Sequence, residues 1–156
     1  MPLSVGVERW PLASPFAISR GAKTEAVTIT ALIGEPVGRK GGPVGRGEAT
    51  PYARYGEEPN ACADLIEAQR GWVDDASLTP ASRRDRLLEA MAPGAARNAL
   101  DCALWDLEAK RSGASVAALA GLTPPASVTT AFTLGLGAPE AMGAAAAAAV
   151  AARRGD

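Results

Sequence analysis

Between Gly94 and Gly113 the chain reads GAARNALDCALWDLEAKRSG, and no other stretch restricts its fold so strongly. Coiled into a helix, it places Ala96, Ala99, Leu100, Ala103, Leu104 and Leu107 on one side, the i, i+3, i+4, i+7 spacing of a buried stripe. Lys110 and Arg111 fall in the last turn, where the helix dipole favours cations, and Gly113 can adopt the left-handed conformation that ends a helix. The buried side is mostly alanine, so whatever covers it can approach closely. The segment is expected to be the central helix of a small helical layer.

The residues before it change period. Residues 3–12 alternate loosely, Glu25–Gly34 is rich in β-branched residues, and Val44–Ala49 follows a Gly/Pro turn at Gly41–Pro43. These read as three strands of an antiparallel meander, with SPFAISRGAKT as a long loop between the first two and TPYARYGEE as a loop after the third. Beyond residue 58 the helical period takes over. Cys62, Leu65, Ile66 and Gln69 mark one helix with Asn60 as its expected cap, and Thr79–Pro80 opens a second carrying Leu87, Leu88 and Met91. After the Gly94–Gly113 helix, a short turn runs from Ser115 to Gly121. Strands first and helices afterwards make an α+β domain, expected over 1–122.

Pro124–Pro125 reads as a boundary. Past it, Ser127–Leu136 is expected to be a strand and Pro139 to open an alanine-rich helix. A strand followed by a helix is the first step of a parallel β/α unit, whose strand needs partners that these residues do not supply. Residues 127–156 are therefore expected to be the poorly anchored start of a truncated second domain, and the chain a fragment of a longer enzyme.

Composition narrows the function. The 156 residues are 47% hydrophobic and 21% charged, with a net charge of −1, which gives no electrostatic case for nucleic acid or an anionic membrane. The alanine run near Ala144–Ala152 is too short and too weakly apolar to span a bilayer. Cys62 and Cys102 lack metal-like spacing and are expected to be reduced packing residues in a cytoplasmic protein. There is no histidine, and the glycines at Gly41–Gly47 precede a strand rather than open a helix, so they do not form a phosphate cradle. Asp101 and Asp106 lie five apart, about 140° around a helix, so they are no chelating pair. They are expected to bond to loop backbone or to Arg97. From the residues alone, no general base and no metal ligand can be assigned.

Three ordered stretches, PLASPFAISRG at 11–21, GRGEATPYARYGEE at 45–58 and ARNALDCALWDLEAKRSG at 96–113, resemble the amino-terminal capping domain of the enolase superfamily, in its muconate-lactonizing and dipeptide-epimerase branch. A fourth, TTAFTLGLGAPEAM at 129–142, resembles the first strand and helix of the β/α barrel that follows in that family. The resemblance implies an isomerase that removes and returns a proton α to a carboxylate, using two lysines at barrel strand ends. It also implies a Mg²⁺ ion, held by three carboxylates, that stabilises the enediolate. Lys23, Lys40 and Lys110 do not have the expected Lys-x-Lys spacing, which would fall soon after Asp156. Catalytic residues and metal ligands are thus expected outside this chain, and the fragment alone is expected to be inactive.

What the resemblance leaves to these residues is choice of substrate, a dipeptide in the epimerase branch. In the family two capping-domain loops close over the barrel mouth and exclude water. Arg20 in the first resembles an arginine that binds a substrate carboxylate, for which a planar guanidinium is suited by its paired donors. Without the resemblance it reads as a solvated loop arginine. Tyr52, Arg54 and Tyr55 in the second loop could form a lid wall or simply pack that loop on its domain. Thr133, near the carboxyl end of the expected barrel strand, matches a threonine that contacts substrate in these epimerases. By alternation it shares a face with Thr129 and Ala131, opposite Phe132. Phe16 is expected to anchor its own loop. The rival readings are a muconate cycloisomerase, a succinylbenzoate-synthase-like enzyme or a racemase of the same superfamily, or a non-catalytic α+β interaction module. A homo-oligomer stays open for the complete enzyme.

Overall fold

The computed structural model describes residues 2–19, 21–34, 42–124 and 126–152. Its elements run β1 (Leu3–Ile18), β2 (Gly21–Ile33), β3 (Gly45–Ala49), α1 (Pro59–Glu67), α2 (Arg70–Val73), α3 (Pro80–Ala90), α4 (Ala95–Ser112), α5 (Val116–Leu119) and α6 (Pro139–Ala152). The strands form one sheet in the order β1-β2-β3, with Ile29 opposite Ala49 and Ile33 opposite Gly45 in the antiparallel β2–β3 pair. Two compact units emerge: Met1–Trp10 with Val27–Pro124, and Pro11–Ala26 with Pro125–Asp156.

The first unit has a core because one face of its sheet is covered by helices. Strand alternation puts Ile29, Ala31 and Ile33 inward, and all three are fully buried. From the helices come Cys62, Ile66, Val73, Leu87 and Met91, and from α4 all six residues of the expected apolar stripe. Burying each large aliphatic side chain stabilises the fold by about 2 kcal/mol. The contact of α4 with β3 is unusually close. A Cβ added at Gly45 would lie 2.6 Å from Leu107 Cβ, and one at Gly47 would lie 2.6 Å from Ala103 N and overlap the carbonyl oxygen of Ala99. Glycines on the strand and alanines on the helix are one arrangement: neither surface carries bulk, so backbone meets backbone. At the edge of this contact Asp106 Oδ2 accepts from Arg46 N at 2.7 Å and from Lys110 Nζ at 2.6 Å.

Caps set the helix boundaries. Thr79 caps α3 as expected, its side chain accepting from Ser82 N at 3.1 Å with Pro80 in the first helical position. Ser115 caps α5 in the same way, and Gly121 ends that turn at φ +70°. Asn60 is not the cap of α1. Glu58 is, accepting from Ala61 N at 2.9 Å, because Pro59 takes the first helical position and moves the cap one residue before it. Leu65 and Leu88 point to solvent, 56% and 62% exposed, so the buried stripes of α1 and α3 are narrower than their apolar residues suggest. Cys102 is exposed rather than a packing residue, since α4 turns that side away from the sheet.

Two larger expectations are corrected. SPFAISRGAKT is not a long loop. β1 continues to Ile18 and β2 begins at Gly21, which makes a strand-borne hairpin. On it Phe16 is 39% exposed. Nor do residues 127–136 form a strand: no ladder partner is offered to them among the described residues, and a strand exists only through its neighbours. Within the second unit Leu136 N donates to Ala17 O at 2.8 Å, and Pro139 opens α6 as expected.

Candidate substrate-facing loop

After β3 the chain turns sharply. Pro51 is buried, and Ala53–Tyr55 form a single 3₁₀ turn in which Tyr55 N donates to Tyr52 O at 2.8 Å. Gly56 closes the turn at φ +73°, a conformation that glycine adopts without the strain of a side chain. The turn brings the Tyr52 and Tyr55 rings together, their centroids 5.7 Å apart and their planes 54° apart. This is a tilted aromatic pair, a geometry that adds stabilisation beyond area burial. Tyr52 is half-buried, Tyr55 is 77% exposed and Arg54 is exposed. The three expected residues of this loop thus lie on one turn.

One residue that sequence reasoning passed over holds this turn. The carboxylate of Glu57 accepts from Tyr52 N through Oε2 at 2.9 Å and from Ala95 N through Oε1 at 2.7 Å. It joins the loop to the first turn of α4, whose own capping position, Gly94, has no side chain to offer. These two bonds, Ala95 first and Tyr52 second, hold the Glu57 carboxyl below its ordinary value against the opposing effect of burial. A signal was available in the sequence: a long helix preceded by glycine must find its acceptor elsewhere, and the paired glutamates before Pro59 are candidates. Beside the carboxylate lies a cavity of about 250 Å³, bordered by Cys62, Leu65, Met91 and Pro93. Burial pushes the Cys62 thiol up, as does the neighbouring Glu57 charge, and both favour its neutral form.

Other arginines are committed to the fold. Arg83 is buried and donates to the carbonyls of Val73 and Asp75, closing the connection between α2 and α3. Arg84 pairs with Glu108 and stacks on the Trp105 ring, 4.0 Å from its centroid. Arg20 lies outside the described residues. Thr133 belongs to the second unit, exposed on the irregular segment before α6, and Phe132 beside it is 75% exposed. No three Asp, Glu, Cys or His side chains among the described residues are grouped to hold a metal ion, and no described helix is long and apolar enough to cross a membrane.

Residues 3–121 match the mandelate racemase / muconate lactonizing enzyme N-terminal domain. The chain is 41% identical over 136 residues to L-Ala-D/L-Glu epimerase of Escherichia coli, covering 86% of this chain and 39% of that protein. It is 41% identical over 98 residues to N-acetyl-D-glutamate racemase of a Pseudoalteromonas species, covering 63% of this chain and 30% of that one. It therefore spans about two-fifths or less of the curated relatives it matches. Among solved structures, an enolase family member from Agrobacterium tumefaciens with homology to dipeptide epimerases, bound to sodium and L-Ala-L-Glu, superposes with a TM-score of 0.77 at 42% identity over 92% of this chain and 41% of that one. A dipeptide epimerase from Methylococcus capsulatus, complexed with Mg and L-Arg-D-Lys, gives 0.79 at 28% identity over 96% of this chain and 42% of that one.

Proposed function

Because the chain belongs to the mandelate racemase / muconate lactonizing enzyme family through its N-terminal domain, we propose that it is the substrate-selecting cap of an L-Ala-D/L-Glu epimerase-like enzyme. In this reading residues 1–122 form the cap and residues 127–156 begin the barrel that performs the chemistry. The observation that carries the proposal is the shared chemistry of the two curated relatives: an Ala-Glu dipeptide and an N-acetyl glutamate are both glutamates acylated at nitrogen. The enzyme takes the α proton from such a residue and returns it to either face.

The cap contributes selection. Arg20 pairs with a substrate carboxylate through its parallel N–H donors. Tyr52, Arg54 and Tyr55 wall the acyl or side-chain end and exclude water, and Thr133 adds a hydroxyl contact from the barrel side. Solved dipeptide epimerases of this fold carry Mg²⁺, and in a complete enzyme such an ion would supply stabilisation of negative charge on a substrate carboxylate. No group of Asp, Glu, Cys or His side chains among the described residues of this chain fits it.

The test is a chimera in which these 156 residues replace the matching part of the E. coli epimerase. With Mg²⁺ in deuterated water, proton NMR should show loss of the glutamate α signal from L-Ala-L-Glu and from N-acetyl-glutamate, and none from free glutamate. A folded chimera that exchanges none of them, while the parent enzyme does, contradicts the reading. Exchange of N-acetyl-glutamate without L-Ala-L-Glu favours the racemase relative as the guide to substrate.

A further inference from the structure

We infer that Glu57 is the positioning residue of the Tyr52–Tyr55 wall: one carboxylate holds the loop to α4 and keeps the two rings in a preformed arrangement. The two bonds use different oxygens and reach segments 43 positions apart in sequence, Tyr52 and Ala95. Gly94 is part of the same device. At φ +156° it carries no side chain, and a Cβ there would come 2.8 Å from Glu57 Oε1. The space beside α4 is thus kept for a carboxylate that arrives from the loop. Tyr52 is fixed through its backbone by Glu57, and Tyr55 is tied to it by the 2.8 Å bond to Tyr52 O and by ring contact.

Glutamate is the side chain this needs. Aspartate is one methylene too short to reach both amides, and glutamine presents an NH₂ to one of two N–H donors that both require an acceptor. Glu58, the next residue, serves a different end: it caps α1 and touches neither Tyr52 nor Ala95 in the bonds it makes. What the wall faces rests on the dipeptide reading. The latch itself does not, so it can be tested with no ligand present.

The experiment is amide hydrogen exchange and NOE spectroscopy on the full 156-residue chain, comparing wild type with E57Q, E57D and E58Q. The expected result is a loss of about tenfold or more in protection at the Tyr52 amide in E57Q and E57D, with weakened NOEs between the Tyr52 and Tyr55 rings, while the amides of Ile29 and Leu100 keep their protection. E58Q should leave Tyr52 and the ring NOEs unchanged. If E57Q lowers protection throughout the chain, T79A, which removes a cap on α3, serves as a reference of equal global destabilisation. The latch then requires an excess loss at Tyr52 over T79A. Unchanged ring NOEs with an effect confined to Ala95, or no excess over T79A, would overturn the inference and leave Glu57 a helix cap only.

Discussion

Gly47 lies against the carbonyl of Ala99 so closely that a Cβ on the strand residue would overlap the helix oxygen. The whole first unit follows from that approach, because it lets β3 and α4 bury their backbones against one another and frees the rest of the α4 stripe for the core. Gly47→Ala is expected to cost on the order of 3 kcal/mol, since the atom it meets is backbone and cannot swing aside. Urea denaturation of the two chains measures it. Gly143→Ala, with open space around it inside α6, should instead raise helix content slightly.

Leu100 and Leu88 are both helix leucines, but only one is buried. Leu100→Ala should destabilise by about 3 kcal/mol, through lost transfer energy and the cavity it leaves. Leu88→Ala, at a site 62% exposed, should change stability by less than about 0.5 kcal/mol. The midpoint shift in the same denaturation experiment separates them.

Glu57 predicts a pH dependence with a definite sign. Its carboxyl titrates below its ordinary value of 4.5 in the folded chain because two backbone amides favour the charged form. The stability this contributes is therefore complete above the ordinary value and is lost as pH falls through the lowered folded value. Stability measured downward from pH 6 should decline less steeply in E57Q than in wild type. Parallel profiles would show that the two amides do not favour the carboxylate.

The two thiols should differ in access. Cys102 is exposed and Cys62 is buried, and both thiols are raised above their ordinary value, Cys62 by burial and the Glu57 charge, Cys102 by partial desolvation and the Asp101 charge. Alkylation should be slow at neutral pH and speed up as pH rises, with Cys102 modified first and Cys62 only when α1 opens. Mass spectrometry of peptides after brief iodoacetamide treatment reads the order directly.

Much of the first unit was legible in the sequence because local chemistry and global packing agree there. The α4 stripe, the Thr79 and Ser115 caps and the β-branched run of β2 each announce themselves within a few residues. What escaped notice depends on distant partners. Glu57 is simply an acidic loop residue until Ala95 is placed beside it, and Asp106, expected to bond to loop backbone or to Arg97, accepts instead from the β3 amide of Arg46 sixty positions away. The segment 127–136 failed for the opposite reason, since its alternation is that of a strand but strand formation requires a neighbour. In the loop, Tyr52, Arg54 and Tyr55 were read together and lie together on one turn.

If these residues choose the substrate while the chemistry lies in the barrel, the choice is read in substrate discrimination. In the chimera with the E. coli epimerase, kcat/KM should be compared for L-Ala-L-Glu and L-Ala-L-Leu before and after Arg20→Met. The expected result is a loss of about tenfold to a hundredfold for the acidic dipeptide, as a charge-assisted pair worth about 1.5–3 kcal/mol disappears, with little change for the neutral one. An equal loss for both dipeptides, or no loss for either, would contradict it.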